Sequence, residues 1–369
     1  MKKTLTLTLM ALIPLLAAAD APSTTQQAVK AYVQAASAQY IAAVKGANDF
    51  QRLVGAFLAT PNAQTLRAAR NQWIEMRKSY SPSEIYRFYG GPIDGDNGPE
   101  GMINSWPLDE AYIDYVVGAG NSGLINDLTH YPSITKEVLR DLNEKGGEKN
   151  ISVGYHAIEF LLWGQDLSST GPGNRLFTDY VVGKGKNADR RREYLRLATQ
   201  MLVEDLSQVA AQWDMSRESS YANTFVKEEQ TESLRKMLTG IYRMAGEELS
   251  QERMFVAYDT QSQEDEHSCF SDTTHLDLRY NFQGIVNVLE GVRGPGMIAL
   301  VREKDAALAD SLAAKMGEAN KRISSIPGPF DNAIYSEAGR AAILASVHAL
   351  EDLALEIKKS AAALGVEIN

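Results

Sequence analysis

Apolar residues recur along most of this chain at spacings of three and four. Leu66, Ala69, Trp73, Met76 and Tyr80 keep that rhythm from Gln64 onward. Leu195, Ala198, Leu202, Leu206, Val209 and Trp213 repeat it, as do Ile343, Val347, Leu350, Ala354 and Ile357. A helix turns about once per 3.6 residues, so each set makes one apolar stripe that another helix has to cover. Strand-like alternation is scarce. Glycine and proline gather between the stripes, at Gly90-Gly91-Pro92, Gly95 to Gly101, Gly171-Pro172-Gly173, Gly183 to Lys186 and Pro327-Gly328-Pro329, and mark loops. Ser133 reads as a helix N-cap, with Glu137 one place beyond the usual capping-box position. The pattern predicts an all-α fold of packed helices.

One long stripe ends near Asp214, and a short polar stretch follows to Ser220. This predicts two helical-bundle domains, residues 20–215 and 216–369, with one extended bundle as the alternative. Residues 1–19 read as a secretory signal. Lys2 and Lys3 form a basic start, Thr4 to Leu16 a short apolar run, and Ala17-Ala18-Ala19 a cleavage site. The run is too short for a convincing membrane span, so the mature chain is expected to have none. Cys269 is the single cysteine, which leaves no internal disulfide. With 47 acidic and 37 basic residues the formal charge is −10. That balance argues against nucleic acid as a partner, which needs a basic face, and is compatible with a cation.

Candidate chemistry centres on Gly154-Tyr155-His156-Ala157-Ile158-Glu159. Positions three apart share a helix face, so His156 and Glu159 can converge on one point. The following Phe160, Leu161, Leu162 and Trp163 predict burial, and a buried carboxylate has to be paired, protonated or metal-bound. A core His–Glu hydrogen bond explains the spacing about as well as a metal does. The stretch Glu264 to Asp277 holds His267, His275 and several acids, among them Asp265 and Asp272. A polar loop with an Asp cap is the plainer reading there. Asp272 and His275 share a face if a helix starts at Ser271 or Asp272. Glu84 and Arg87 read as a surface ion pair. Pro107 suits a helix start, with Asp109 and Glu110 in its first turn. Asp94 to Ser105 fails as an EF-hand loop, having Pro99 where glycine belongs and Ser105 in place of the closing glutamate. No His-Glu-x-x-His pair occurs, so zincin chemistry has no motif.

Taken together, the stretches Ile103 to Asp114, Ser152 to Asp166, Gly171 to Arg175, Gly246 to Met254 and Gln263 to His275 resemble the imelysin family. This is the insulin-cleaving metallopeptidase family with its iron-regulated protein A branch. Its Gly-x-His-x-x-Glu motif falls on Gly154, His156 and Glu159. The resemblance implies two helical bundles and an exported protein of the periplasm or outer surface of a Gram-negative bacterium. It also implies a metal site near the domain interface. By analogy with periplasmic iron-uptake proteins, Glu84 and Asp109 are expected to join His156 and Glu159 as ligands. Asp265, His267, Asp272, His275, Arg87 and Arg253 form a second rank around them. The expected ligand is iron or an iron-bearing small molecule, with envelope iron-transport proteins as possible partners. The alternative is a zinc metallopeptidase.

Overall fold

A computed structural model describes residues 21–368. The predicted signal segment 1–19 lies outside the described residues. The elements that matter for the site are α1 (Thr24–Ala59), α2 (Ala63–Tyr80), α3 (Gly154–Trp163), α4 (Ala188–Gln212), α5 (Gln230–Arg243), α6 (Thr274–Val286), α7 (Ala306–Ser325) and α8 (Glu337–Ala363). Among the described residues there is no strand, and no helix is long and apolar enough to cross a membrane.

Local chemistry explains where these helices begin. The Ser23 hydroxyl accepts from the Gln26 amide while the Gln26 side chain accepts from the Ser23 amide, a reciprocal cap for α1. Asn62 and Thr65 do the same for α2. The stripes read from the sequence lie inward: Leu66, Ala69, Trp73, Met76 and Tyr80 on α2 are all buried, as are Ile343, Val347, Leu350, Ala354 and Ile357 on α8. α1 packs along α2 and α4, while α8 packs along α7 and the widely wound π-helical segment Met244–Phe255 that continues α5. One cluster of buried apolar side chains includes residues on both sides of position 215.

Three local expectations need correction. Ser133 is not a cap. Thr135 is, accepting from the Val138 amide, and the helix it starts is Lys136–Leu142. Pro107 does not open a helix either. The single turn Glu110–Ile113 begins further on, and Asp109 caps it by accepting from Ala111. Asp272 and His275 do not share a helix face. α6 starts at Thr274, and Asp272 sits before it with a left-handed φ of 57°.

α3 is short, and all ten of its residues are buried. A buried helix has to satisfy its terminal carbonyls from neighbours. Arg70 donates to the Leu162 carbonyl and Tyr180 to that of Leu161. At the other end Gly154 has a φ of +91°, and a Cβ there would stand 2.6 Å from the Ile103 carbonyl oxygen. Both facts demand glycine. Gly154→Ala is therefore expected to cost roughly 2 kcal/mol or more of stability through backbone strain, as measured by urea unfolding. A cost within a few tenths of a kcal/mol would show that the helix start relaxes freely.

Candidate functional site

α3 delivers His156 and Glu159 into the interior, where their side chains are 2% and 0% exposed. His156 Nδ1 lies 2.9 Å from Glu159 Oε2. The other carboxylate oxygen of Glu159 accepts from the Ser271 amide at 2.9 Å and the Ser271 hydroxyl at 2.7 Å. Glu159 therefore anchors the loop before α6 and orients the imidazole. Burial pushes its carboxyl up to about 8, with the Ser271 hydrogen bonds pulling the other way. His156 Nε2 is buried and has no hydrogen-bond partner.

The ring beside it belongs to His267, with centroids 4.5 Å apart and planes at 72°. His267 repeats the arrangement of His156: its Nδ1 lies 2.9 Å from Asp277 Oδ2. Its Nε2 has only the Asn104 amide nitrogen at 3.5 Å, which is at best a weak bond. Asp277 also accepts from Ser268 and, at 3.1 Å, from Arg77 Nε. Burial lowers both imidazoles well below their usual range. His267 adds to the effect on His156, and Arg253 adds to the effect on His267. Two neutral histidines thus lie side by side, each held by a carboxylate at Nδ1.

Glu84 is not on the surface, and its partner is not chiefly Arg87. It is 0% exposed and meets Arg253 through two contacts, at 2.6 and 3.3 Å. Asn281 donates to one of its oxygens at 2.9 Å, and Asn104 and Arg87 donate to the other at 3.2 Å. Burial pushes the Glu84 carboxyl up; Arg253, helped by Arg87 and Arg77, overrides this and holds it well below the usual carboxylate range. Both oxygens are committed, so Glu84 is placed to organise the cleft rather than to ligate. Asp109 is exposed and spends its side chain on the cap. It does not join His156.

The second rank separates in the same way. Arg87 bridges Glu84 and Glu100. Arg253 links Glu84, Glu248 and Asn281. Asp265 lines a cleft of about 400 Å³ together with Arg87, Glu100, Trp106, Glu248 and Glu252. Asn104 also lines that cleft, and its side chain reaches both Glu84 and His267. Trp106, on the cleft wall, packs edge-on to His267. The histidine pair thus lies behind a mostly acidic opening. His275 is half-buried against Gly328, and Asp272 faces Asp166 instead of the histidines. Among the described residues no three His, Cys, Asp or Glu side chains stand together as a ready-made metal cage.

Sequence reasoning passed over Asp277, Arg77, Asn104, Asn281 and Ser271. The ten-residue separation of His267 and Asp277 has no helical period to flag it. Cys269 is half-buried, and burial raises its thiol well above the usual range, so it offers no ready thiolate.

The imelysin family model matches residues 18–357. The chain belongs to the imelysin family. It is similar to iron-regulated protein A of Synechococcus elongatus, with 22% identity over 88% of this chain and 83% of that protein. Among solved structures it is similar to one from Parabacteroides distasonis, provisionally assigned as an iron-regulated protein A precursor. That likeness has a TM-score of 0.72 at 16% identity and covers 93% of this chain and 96% of the other. It shows the shared all-α fold.

Proposed function

We propose that this imelysin-family protein binds iron during uptake, in the periplasm or at the outer surface, with the Nε2 atoms of His156 and His267 as its protein ligands. The observation that carries this reading is the partnerless buried Nε2 of His156 beside a second imidazole, both rings anchored at Nδ1 by carboxylates. Carboxylate-anchored histidine is the usual outer support of a metal-binding imidazole. Two nitrogens do not fill an octahedral shell. The geometry therefore favours iron that arrives with oxygen donors of its own, as a hydrated ion or a small chelate, through the acidic cleft. The relatives named for iron regulation support the same reading. Glu159 and Asp277 then act on the histidines, while Glu84 and Asp109 stay outside the coordination shell.

The test is calorimetric titration of the wild type with ferrous ion and with ferric citrate, repeated on His156→Ala and Asp109→Ala. Binding should be lost in the first variant and kept in the second. Binding that survives His156→Ala unchanged would remove the proposal.

The zinc-peptidase alternative lacks a free base among the carboxylates of the histidine network. Hydrolysis needs a carboxylate or imidazole to activate metal-bound water. Here Glu159 is occupied by Ser271 and His156, Asp277 by Arg77, Ser268 and His267, and Glu84 by Arg253 and Asn281. Zinc-loaded protein is expected to leave unfolded casein intact, read by gel and by release of soluble peptides. Cleavage that disappears in His156→Ala would establish the peptidase instead.

A further inference from the structure

Three loops outside the histidine site build one face of the molecule. Residues 115–123, 167–174 and 181–187 contain no Asp or Glu, and Lys184 and Lys186 are their only charges. The rest of the chain supplies a net charge of −10 in spite of them. Hydrogen bonds tie the loops together. The Val117 amide donates to Gln165 Oε1 at 3.1 Å, the Tyr115 hydroxyl to Asp179 Oδ2 at 2.6 Å, and Lys186 to the Asn121 side chain. A groove of about 400 Å³ runs between the first two loops, with Trp163 and Pro172 in its lining. Among the described residues ten large apolar side chains are exposed, and five of them belong to this face. Val117 is 75% exposed, Val182 67%, Leu167 65%, Leu176 59% and Tyr115 40%.

Exposed apolar side chains gathered on one face mark a surface that something covers. We propose that this face docks on the surface of an anionic lipid bilayer. Charge selects the occupant. Most of the chain is acid-rich and is repelled by negative lipids, whereas the charges these loops expose are both lysines. The acids flanking the loops do not change this. Asp114 and Asp166 are buried, and Asp179 is held by Tyr115 and by Arg175 Nη1 at 3.3 Å. Asp189, exposed in the first turn of α4, is the next acid along the chain, and the two lysines outnumber it. Shape agrees with charge. A small molecule in the groove would leave Leu176 and Val182 uncovered, because neither lines it. A bilayer surface takes all five apolar side chains at once and asks for no directional contact.

Lys184 and Lys186 meet the phosphate headgroups, while Val117, Leu167, Leu176 and Val182 leave water at the boundary of the acyl chains. The Tyr115 ring, apolar with a polar tip, suits the headgroup level. Loop backbone cannot satisfy its amides in hydrocarbon, so the face rests among the headgroups and spans nothing. Each lysine near the surface strengthens binding by about fivefold. Salt screens that attraction, so binding is reversible and falls as ionic strength rises. The docking face does not depend on the iron reading.

The experiment uses protein purified from soluble extract and vesicles of phosphatidylcholine with about one-third phosphatidylglycerol, read by co-sedimentation at low salt. Wild type is expected to bind these vesicles, and to bind phosphatidylcholine alone roughly twentyfold more weakly. Lys184→Gln with Lys186→Gln should lose about the same factor on the anionic vesicles. Leu167→Asp with Val182→Asp should abolish binding, as should Val117→Asp with Leu176→Asp. All four positions are exposed, so the melting temperatures should match the wild type. Every variant keeps the wild-type N-terminus, so attachment through residues 1–20 would persist in all of them and overturn the proposal. No binding of the wild type to anionic vesicles, or equal binding to both kinds, overturns it too. Self-association of the wild type that the Asp variants abolish, in place of vesicle binding, would make the face a contact between copies and overturn it as well. If one Asp pair melts early, the other pair and the lysine pair decide.

Discussion

Alanine in place of His156 or His267 is expected to weaken iron binding by at least about tenfold for each ring, since each removes a nitrogen ligand or its support. The two rings stand 4.5 Å apart between centroids, so the losses should not add: once one nitrogen is gone, the other holds the ion poorly. Glu159→Gln separates two roles. Glutamine has one oxygen for the two positions that accept from Ser271 and from His156 Nδ1–H, so it keeps one of these bonds and sets an N–H against the other donor. A several-fold loss with an unchanged fold is expected, smaller than the loss in His156→Ala. A loss in Glu159→Gln equal to that in His156→Ala would instead make Glu159 a direct ligand. Asp109→Ala should leave affinity within about twofold, because its exposed carboxylate is spent on a helix cap. The measurement is iron titration by calorimetry on variants whose circular dichroism matches the wild type.

The second large effect concerns stability. Glu84→Ala strands the Arg253 guanidinium, which is 0% exposed, together with Asn281 and Asn104 donors that have lost their acceptor. Breaking a buried ion pair from one side typically costs about 3–5 kcal/mol, and for a chain of this size that lowers the melting temperature by roughly 5 °C. Glu84→Gln keeps the shape and should cost less. The pair also sets a pH dependence. Because the folded Glu84 is held well below its usual range, its stabilisation is fully present above the unfolded value of about 4.3. It is lost as pH falls below that toward the depressed folded value. Wild type should therefore lose melting temperature below about pH 4 more steeply than Glu84→Gln. Parallel profiles for the two proteins would show that Glu84 is not the group responsible.

Glu84 and Arg253 show why part of the site was not legible. They are 169 positions apart, and the local context of Glu84 offers a nearer partner in Arg87. That neighbour does bond to it, but at 3.2 Å and second to Arg253. A charged residue three places from an opposite charge reads as a surface pair unless its burial is known. Asp109 misled in the opposite direction: a place in a first helical turn already explained it, and the structure makes it the cap of the turn that starts at Glu110. The His156–Glu159 pairing was legible because it lies within one helix turn.

The chain alone determined whatever repeats within a few residues. The apolar stripes of α2, α4 and α8, the loops between them and the face shared by His156 and Glu159 all follow from helical periodicity, which is a local property of the backbone. The tertiary structure decided what depends on distance in space. It brought His267 beside His156 across 111 residues, gave Glu84 to Arg253, and joined the loops of Val117 and Val182 on one face. Burial decides whether a carboxylate orients a ring or closes an ion pair. It is set by segments far apart in sequence, and their contacts leave no periodic trace.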